Sequence, residues 1–356
     1  MTRPSSSQDD QGSRISTKNN PVKATQGVPT DQRSPKKSKV DDSKKKLSVN
    51  DKLVDHVDST SASKAKIKNV SRWGSQTTAQ VAASTARLLP ELLPGLPSAP
   101  PTGIYFTSNN VDSLDATTCP GYTHSAATAE GDIEQPGVPI SVIDMDTFDA
   151  ALQMGLGPDP LDTKPIAVLN NANQFQAGGA WLRGATAQEE QLCFRSSLIS
   201  TLKSRFYPMK DISGIYSPTV VIFRDGATCG YTLTDASLKD LPIVSVLSVA
   251  ADDRRRMTRG SPVPYKYPEE RALMKAKIRI VLRMAAVSGN RRLVLGALGC
   301  GVFAHPPAEV AKCFKDVFQE VEFSGGWWRA VTFAILSGKN KTNFNSFKQE
   351  LEGCVV

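Results

Sequence analysis

From residue 167 onward, short apolar runs alternate with longer stretches in which apolar residues recur every three or four positions. The runs Ala167–Asn170, Thr219–Phe223, Ile243–Val249, Leu293–Ala297 and Ala330–Leu336 are four to seven residues long and mostly apolar. That is the signature of strands buried on both faces. The spacing between them predicts amphipathic helices over Thr186–Lys203, Glu269–Ser288 and Ala308–Glu320. Upstream, the apolar runs Val138–Ile143 and Ile166–Leu169 flank Asp146–Met154, which reads as a helix opened by acidic residues. Further back, Ala82, Ala86, Leu89 and Leu93 fall at helical spacing within Thr77–Leu93. Pro90 must end or kink that helix, because it lacks an N–H and clashes with the preceding turn. Strands alternating with helices predict an α/β layered fold with a largely buried sheet, built as one domain over residues 71–352.

Charge separates this domain from what precedes it. The chain has 356 residues and a formal net charge of +8, but residues 1–70 hold 15 Lys/Arg against 8 Asp/Glu. The remainder is nearly balanced. The same stretch contains no Phe, Trp, Tyr or Cys and no sustained apolar period. It cannot bury enough apolar surface to offset the entropy of ordering, so it reads as a disordered basic tail. The cluster Pro35-Lys36-Lys37-Ser38-Lys39-Val40, followed by Lys44-Lys45-Lys46, suits either a nuclear import factor or a polyanion. A merely solvated tail fits equally well.

Other features narrow the class. The amino terminus has no signal-peptide core and the chain no apolar run of membrane-spanning length, so an intracellular protein, nuclear and/or cytoplasmic and without membrane contact, is expected. The six cysteines are scattered without C-x-x-C spacing, and the three histidines are far apart. Neither a disulfide framework nor a metal site is expected, and no cofactor is implied. The working expectation is a monomer.

Special residues concentrate between Leu169 and Leu198. The strand ending at Asn170 should deliver Asn171, Ala172 and Asn173 to the edge of the sheet, where open α/β folds bind ligands. Asparagine there suits a sugar hydroxyl array, and equally a plain turn. Ala177-Gly178-Gly179-Ala180 follows, a turn whose backbone can approach a ligand closely. Thr186-Ala187-Gln188-Glu189-Glu190 then opens a helix, and the T-x-x-E spacing makes Glu189 a candidate capping-box residue. Glu190 has no such structural explanation. The helix dipole favours a carboxylate there, whereas a general acid needs the opposite push, from a neighbouring acid, burial or an anionic substrate.

Taken together, N-x-A-N, a glycine turn, Gln188-Glu189-Glu190 and Arg195-Ser196-Ser197-Leu198 resemble the bacterial-type poly(ADP-ribose) glycohydrolases. A second anchor is Leu293–Phe303, with Gly296, Gly299 and Gly301 in G-x-x-G-x-G order, followed by Pro306-Pro307 and a helix. The resemblance covers roughly residues 75–350. It departs in the first loop, where that family usually has Pro-Gly-Gly-Gly and this chain has Ala177-Gly178-Gly179-Ala180. The resemblance implies a macrodomain-like three-layer α/β/α sandwich with a mixed central sheet and an amino-terminal helical extension. It further implies that Glu190 is the general acid, Glu189 orients the terminal ribose, Asn173 contacts the same sugar and Gln188 supports the pair. Gly178, Gly179, Gly299, Cys300, Gly301 and Val302 would hold the diphosphate through backbone N–H groups, and Phe303 would pack on the ribose side. As a bare residue, Phe303 is also an ordinary core aromatic.

The activity so implied is hydrolysis of ribose–ribose bonds in poly(ADP-ribose), releasing ADP-ribose, with polymer or ADP-ribosylated protein as substrate. Two alternatives stay open: a reader that binds ADP-ribose without hydrolysis, and a hydrolase of singly ADP-ribosylated conjugates. Because the two acids are adjacent in sequence, the carboxylate-separation rule for stereochemistry does not apply. Deleting residues 1–70 should leave turnover of short chains nearly unchanged while weakening binding to long polyanions, as measured by turnover and electrophoretic retardation. A large loss on short chains would make the tail part of the fold.

Overall fold

A computed structural model describes residues 77–120, 137–155, 163–255, 263–324, 326–338 and 340–356. The tail and its lysine clusters lie outside these residues. In chain order the helices are α1 (Thr78–Leu92), α2 (Thr147–Met154), α3 (Gln188–Arg195), α4 (Leu198–Thr201), α5 (Pro268–Val287), α6 (Pro307–Phe318) and α7 (Thr342–Leu351). The strands are β1 (Ile104–Thr107), β2 (Ile140–Ile143), β3 (Ala167–Asn171), β4 (Ser213–Val221), β5 (Ile243–Val249), β6 (Arg292–Leu295) and β7 (Ala330–Ala334).

One mixed sheet joins them in the order β1-β4-β5-β3-β6-β7-β2. Strands β5, β3, β6, β7 and β2 run parallel, while β4 is antiparallel to β5 and β1 to β4. Side chains of β3 alternate between two cores, as a strand covered on both faces requires. Ala167 and Leu169 pack with α5, α6 and α7, whereas Ile166 and Val168 pack with α1, α2 and α3. The result is the three-layer α/β/α sandwich, with α1 as the amino-terminal extension. The carboxyl ends of β3, β5 and β6 lie side by side at one edge of the sheet, and the two glycine loops follow β3 and β6 at that edge.

Several elements differ from the sequence reading for local reasons. The helix expected over Thr186–Lys203 breaks in two, because Ser196 Oγ bonds back to the Leu192 carbonyl at 2.7 Å while the Ser197 N–H donates to the Val221 carbonyl at 3.0 Å. Hydroxyls that offer the backbone another partner compete with helix continuation. Strand β4 begins at Ser213 rather than Thr219, its polar half masked in the sequence by Ser213, Gly214, Ser217 and Pro218, and its register shifts between Ser217 and Val220. The strand expected over 293–297 stops at Leu295 and that over 330–336 at Ala334. Strand β1 and helix α7 were not anticipated. Residues 353–356 also run along β2, where Val138 and Val356 exchange N–H···O bonds at 2.8 and 3.0 Å, so the chain's end covers that sheet edge.

Helix α1 keeps Pro90 inside it and is tied down by polar contacts as well as by its apolar stripe. Thr85 Oγ1 donates to the Phe194 carbonyl at 2.9 Å. The buried Arg224 guanidinium donates to Thr85 Oγ1 (3.0 Å), Ser84 Oγ (2.9 Å) and the Tyr231 carbonyl (3.0 Å). Gly184, at φ +80°, admits the start of α1, since a Cβ there would lie 2.7 Å from the Ala79 nitrogen. Replacing Arg224 with Met keeps the volume but strands two buried partners and the half-buried Ser84 hydroxyl. We expect a loss of about 2–4 kcal/mol in urea unfolding, and a change near zero would mean that α1 is held by apolar packing alone.

Candidate active site

The site is assembled by fastening α3 to the end of β3. Gln188 Oε1 accepts the Asn171 N–H at 2.8 Å and its Nε2 donates to the Leu169 carbonyl at 2.7 Å. Those are the two groups of β3 that a residue on a parallel neighbour would engage, so the Gln188 amide acts as a one-residue strand beyond the point where β6 diverges. Its Nε2 also reaches Thr147 Oγ1 on α2, at 3.1 Å. At the other end of α3, buried Arg195 pairs with Asp146 and, at 2.6 Å, with Asp149. The helix start that carries both acids is therefore fixed to the sheet and to α2.

Glu189 and Glu190 are 3% and 7% exposed, and both turn toward the glycine loop. Glu189 Oε2 accepts the Asn173 N–H at 2.7 Å, and its Oε1 accepts the Gly178 N–H at 3.2 Å and Asn170 Nδ2 at 3.4 Å. Glu190 Oε1 accepts the Ala180 N–H at 2.9 Å. The capping box suggested by Thr186 and Glu189 does not form; Ala187 is the N-cap and makes no side-chain bond. Among the described residues Glu190 Oε2 has no hydrogen-bond partner, and it is not sealed from solvent.

Two glycines permit this contact. Gly178 and Gly179 have φ of +69° and +57°, and a Cβ on Gly179 would stand 2.5 Å from Glu190 Oε1. Ala180 sits at φ −101°, a conformation an alanine adopts without strain, so the departure from a third glycine carries no backbone cost. From Gly178 onward the N–H groups are engaged: Gly178 and Ala180 on the two carboxyls, Gly179 on the Gln176 carbonyl at 3.0 Å, Trp181 on the Gly178 carbonyl at 3.2 Å. The N–H groups of Gly178 and Gly179, expected to meet a diphosphate, thus have partners within the site itself. Buried carboxyls beside the loop would otherwise lack donors.

The second loop is the one with free donors. The Cys300 N–H bonds the Ala297 carbonyl at 3.0 Å, which removes it from the expected anion-binding set. Among the described residues the N–H groups of Gly299, Gly301, Val302 and Phe303 have no partner, and Val302 is 58% exposed. Phe303 packs against the core on the α5–α7 side, with the Arg255 guanidinium 6.0 Å from its ring centroid. Asn173 Oδ1 caps its own turn, accepting from the N–H groups of Phe175 (2.8 Å) and Gln176 (3.0 Å). Only its Nδ2 is left for a sugar. The sequence reading missed a role for Asn170, whose Nδ2 also bonds Ser248 Oγ at 3.0 Å; among the described residues the buried acceptors Asn170 Oδ1 and Asn171 Oδ1 have no partner.

Burial pushes the Glu189 carboxyl up to about 8, with the neighbouring Glu190 adding to the shift and the N–H groups of Asn173 and Gly178 opposing it. Burial likewise raises the Cys193 thiol under the loop, helped by both acids.

With the geometry established, comparison with known proteins defines the class. Residues 32–225 match the family model described as microbial-type PARG, catalytic domain, and the chain belongs to that family. PARG denotes poly(ADP-ribose) glycohydrolase, a glycosidase. Among solved structures, the Thermomonospora curvata poly(ADP-ribose) glycohydrolase bound to the inhibitor ADP-HPD is similar at 26% identity and a TM-score of 0.57, over 76% of this chain and 98% of that one. A second structure of the Thermomonospora curvata poly(ADP-ribose) glycohydrolase gives 25% and 0.58, over 77% and 98%. The Deinococcus radiodurans enzyme in complex with ADP-ribose gives 28% and 0.54, over 74% and 97%. No curated protein sequence matches.

The Glu189 shift has a consequence for stability. Its folded-state value near 8 exceeds its ordinary value of 4.5, so between the two the folded protein holds more protons and stability falls as pH rises. The melting temperature of the wild type, relative to Glu189→Gln, should therefore decline from about pH 5 to about pH 8 and then level off. A flat difference would show that Glu189 is ionised throughout.

Proposed function

We propose that this chain hydrolyses the ribose–ribose O-glycosidic bond of poly(ADP-ribose) and releases ADP-ribose, with Glu190 as general acid and then general base. The observation that carries the assignment is the contrast between the acids. Both oxygens of Glu189 accept backbone or amide N–H groups, whereas Glu190 is held by Oε1 alone and keeps Oε2 open. Glu189 thus serves as a fixed neighbour that orients the ribose, Asn173 Nδ2 supplies a further sugar contact, and Gln188 holds both acids in place. The free N–H groups of Gly299, Gly301, Val302 and Phe303 receive the diphosphate.

Protonated Glu190 Oε2 gives its proton to the 2′ oxygen of the departing ribose as the C1″–O bond breaks, both electrons leaving with that oxygen. The oxocarbenium-like sugar is stabilised by the substrate's own diphosphate. Ionised Glu190 then takes a proton from water as the water oxygen bonds C1″, which restores the acid. Carboxyl and backbone groups supply every step, and no metal is needed for the balance. The basic tail, with its lysines at 36–46, fits contact with long polymer or other polyanions and an intracellular, nuclear or cytoplasmic setting in which ADP-ribosylation is reversed, as after DNA damage. We assign a monomer.

Glu190→Gln should lower kcat on polymer by about 10²–10⁴-fold while ADP-ribose binding by calorimetry changes by only a few-fold. Wild-type protein that binds ADP-ribose but releases no product would make the chain a reader. Faster release from singly modified protein than from polymer would overturn the substrate choice.

A further inference from the structure

A buried polar cluster beneath the second glycine loop has no part in the chemistry above. His305 is 3% exposed, and both ring nitrogens are engaged: Nδ1 with Tyr265 Oη at 2.9 Å and Nε2 with the Asp252 carbonyl at 2.8 Å. A carbonyl only accepts, so Nε2 carries the proton and Nδ1 accepts from the phenol in a neutral ring. Burial, together with the nearby Arg254 and Lys277 cations, favours that neutral form.

This ring is in contact with the loop itself. The His305 N–H donates to the Gly299 carbonyl at 3.1 Å, and its Cδ2 lies 2.6 Å from where a Gly299 Cβ would be, opposite Ala251 Cβ at 2.7 Å. Gly299 takes φ +73°, and Ala304 takes φ +58°, a left-handed conformation costly for alanine. Such a backbone persists only where its surroundings hold it. Here the holders are the Ala304 N–H on the Gly301 carbonyl (3.1 Å), the Arg254 N–H on the Phe303 carbonyl (3.1 Å) and the imidazole wedged under Gly299. Arg254 is in turn fixed by Glu270, with Nε to Oε1 at 3.0 Å.

We propose that His305, braced by Tyr265 and the Asp252 carbonyl, is a positioning residue that sets the affinity for the ADP moiety. It does so by holding residues 299–305 in the arc that leaves the N–H groups of Gly301, Val302 and Phe303 free for an anion. The ring suits the role because one nitrogen must accept from a phenol and the other donate to a carbonyl, with Cδ2 and Cγ left against glycine. Since it acts on binding and not on the reacting bond, it should govern KM and leave kcat alone. The inference rests on the assignment of the second loop to the diphosphate made under the proposed function.

His305→Leu should raise both the Kd for ADP-ribose and the KM for polymer by about 10–100-fold with kcat within a few-fold, since a lost buried brace of this kind is a one-to-two decade effect. His305→Gln, which can accept at Oε1 and donate from Nε2, should recover most of that loss. Tyr265→Phe removes a single bond and should weaken ADP-ribose binding by about 3–10-fold without unfolding, which keeps the inference open to refutation if the His305 variants do not fold. Unchanged Kd in Tyr265→Phe and in any folded His305 variant would overturn it, as would a fall in kcat with Kd preserved. A wild type that binds ADP-ribose without cleaving polymer would refute the proposed activity and still leave these Kd shifts to decide the role of His305.

Discussion

Two adjacent carboxyls buried against a glycine loop must find donors, and the rest of the site follows from how they find them. The N–H groups of Asn173, Gly178 and Ala180 converge on Glu189 and Glu190, the last two at 3.2 and 2.9 Å. A carboxyl taken out of water without such partners would cost several kcal/mol. The demand explains why Gly178 and Gly179 take left-handed backbone, and why the space a side chain would fill at Gly179 is occupied by the acids themselves. On the other loop the N–H groups of Gly299, Gly301, Val302 and Phe303 have no partner among the described residues, which is why we propose the diphosphate there.

Precision at this point depends on supports farther out. Gln188 completes the edge of β3 as a strand residue would, and Arg195 locks the opposite end of α3 to Asp146 and Asp149. Helix α1, outside the sheet proper, reaches the same helix through Thr85 and the Phe194 carbonyl. Rigid support on two sides suits the role we propose for Glu190, an acid that keeps one oxygen open to its substrate.

The apolar runs at β3, β5 and β7 were legible because buried parallel strands leave near-continuous apolar sequence. Strand β1 and the first half of β4 were not, since Ser213, Gly214 and Ser217 carry no such signal and are held there by pairing with β1 and β5. Within the site, the identity of the acids was legible, but the choice of donors was not. Spacing made Glu189 a candidate helix cap, and the family resemblance put Gly178 and Gly179 on a diphosphate. Only the folded chain shows that α3 starts one residue after Ala187, which turns Glu189 inward to Asn173 and Gly178. His305 and Tyr265 were invisible for a related reason: two groups that meet under one loop lie 40 positions apart in the chain.

The central claim is that the first loop holds the acids, the second holds the diphosphate, and Glu190 Oε2 faces the scissile bond. A crystal structure of the protein with ADP-ribose tests it most directly. The account predicts Oε2 within about 2.6–3.2 Å of the oxygen on the anomeric carbon of the terminal ribose, or one water away, with the diphosphate on the N–H groups of Gly301, Val302 and Phe303. A diphosphate bound by Gly178 and Gly179, with the Glu189 and Glu190 carboxyls released from the loop, would contradict it.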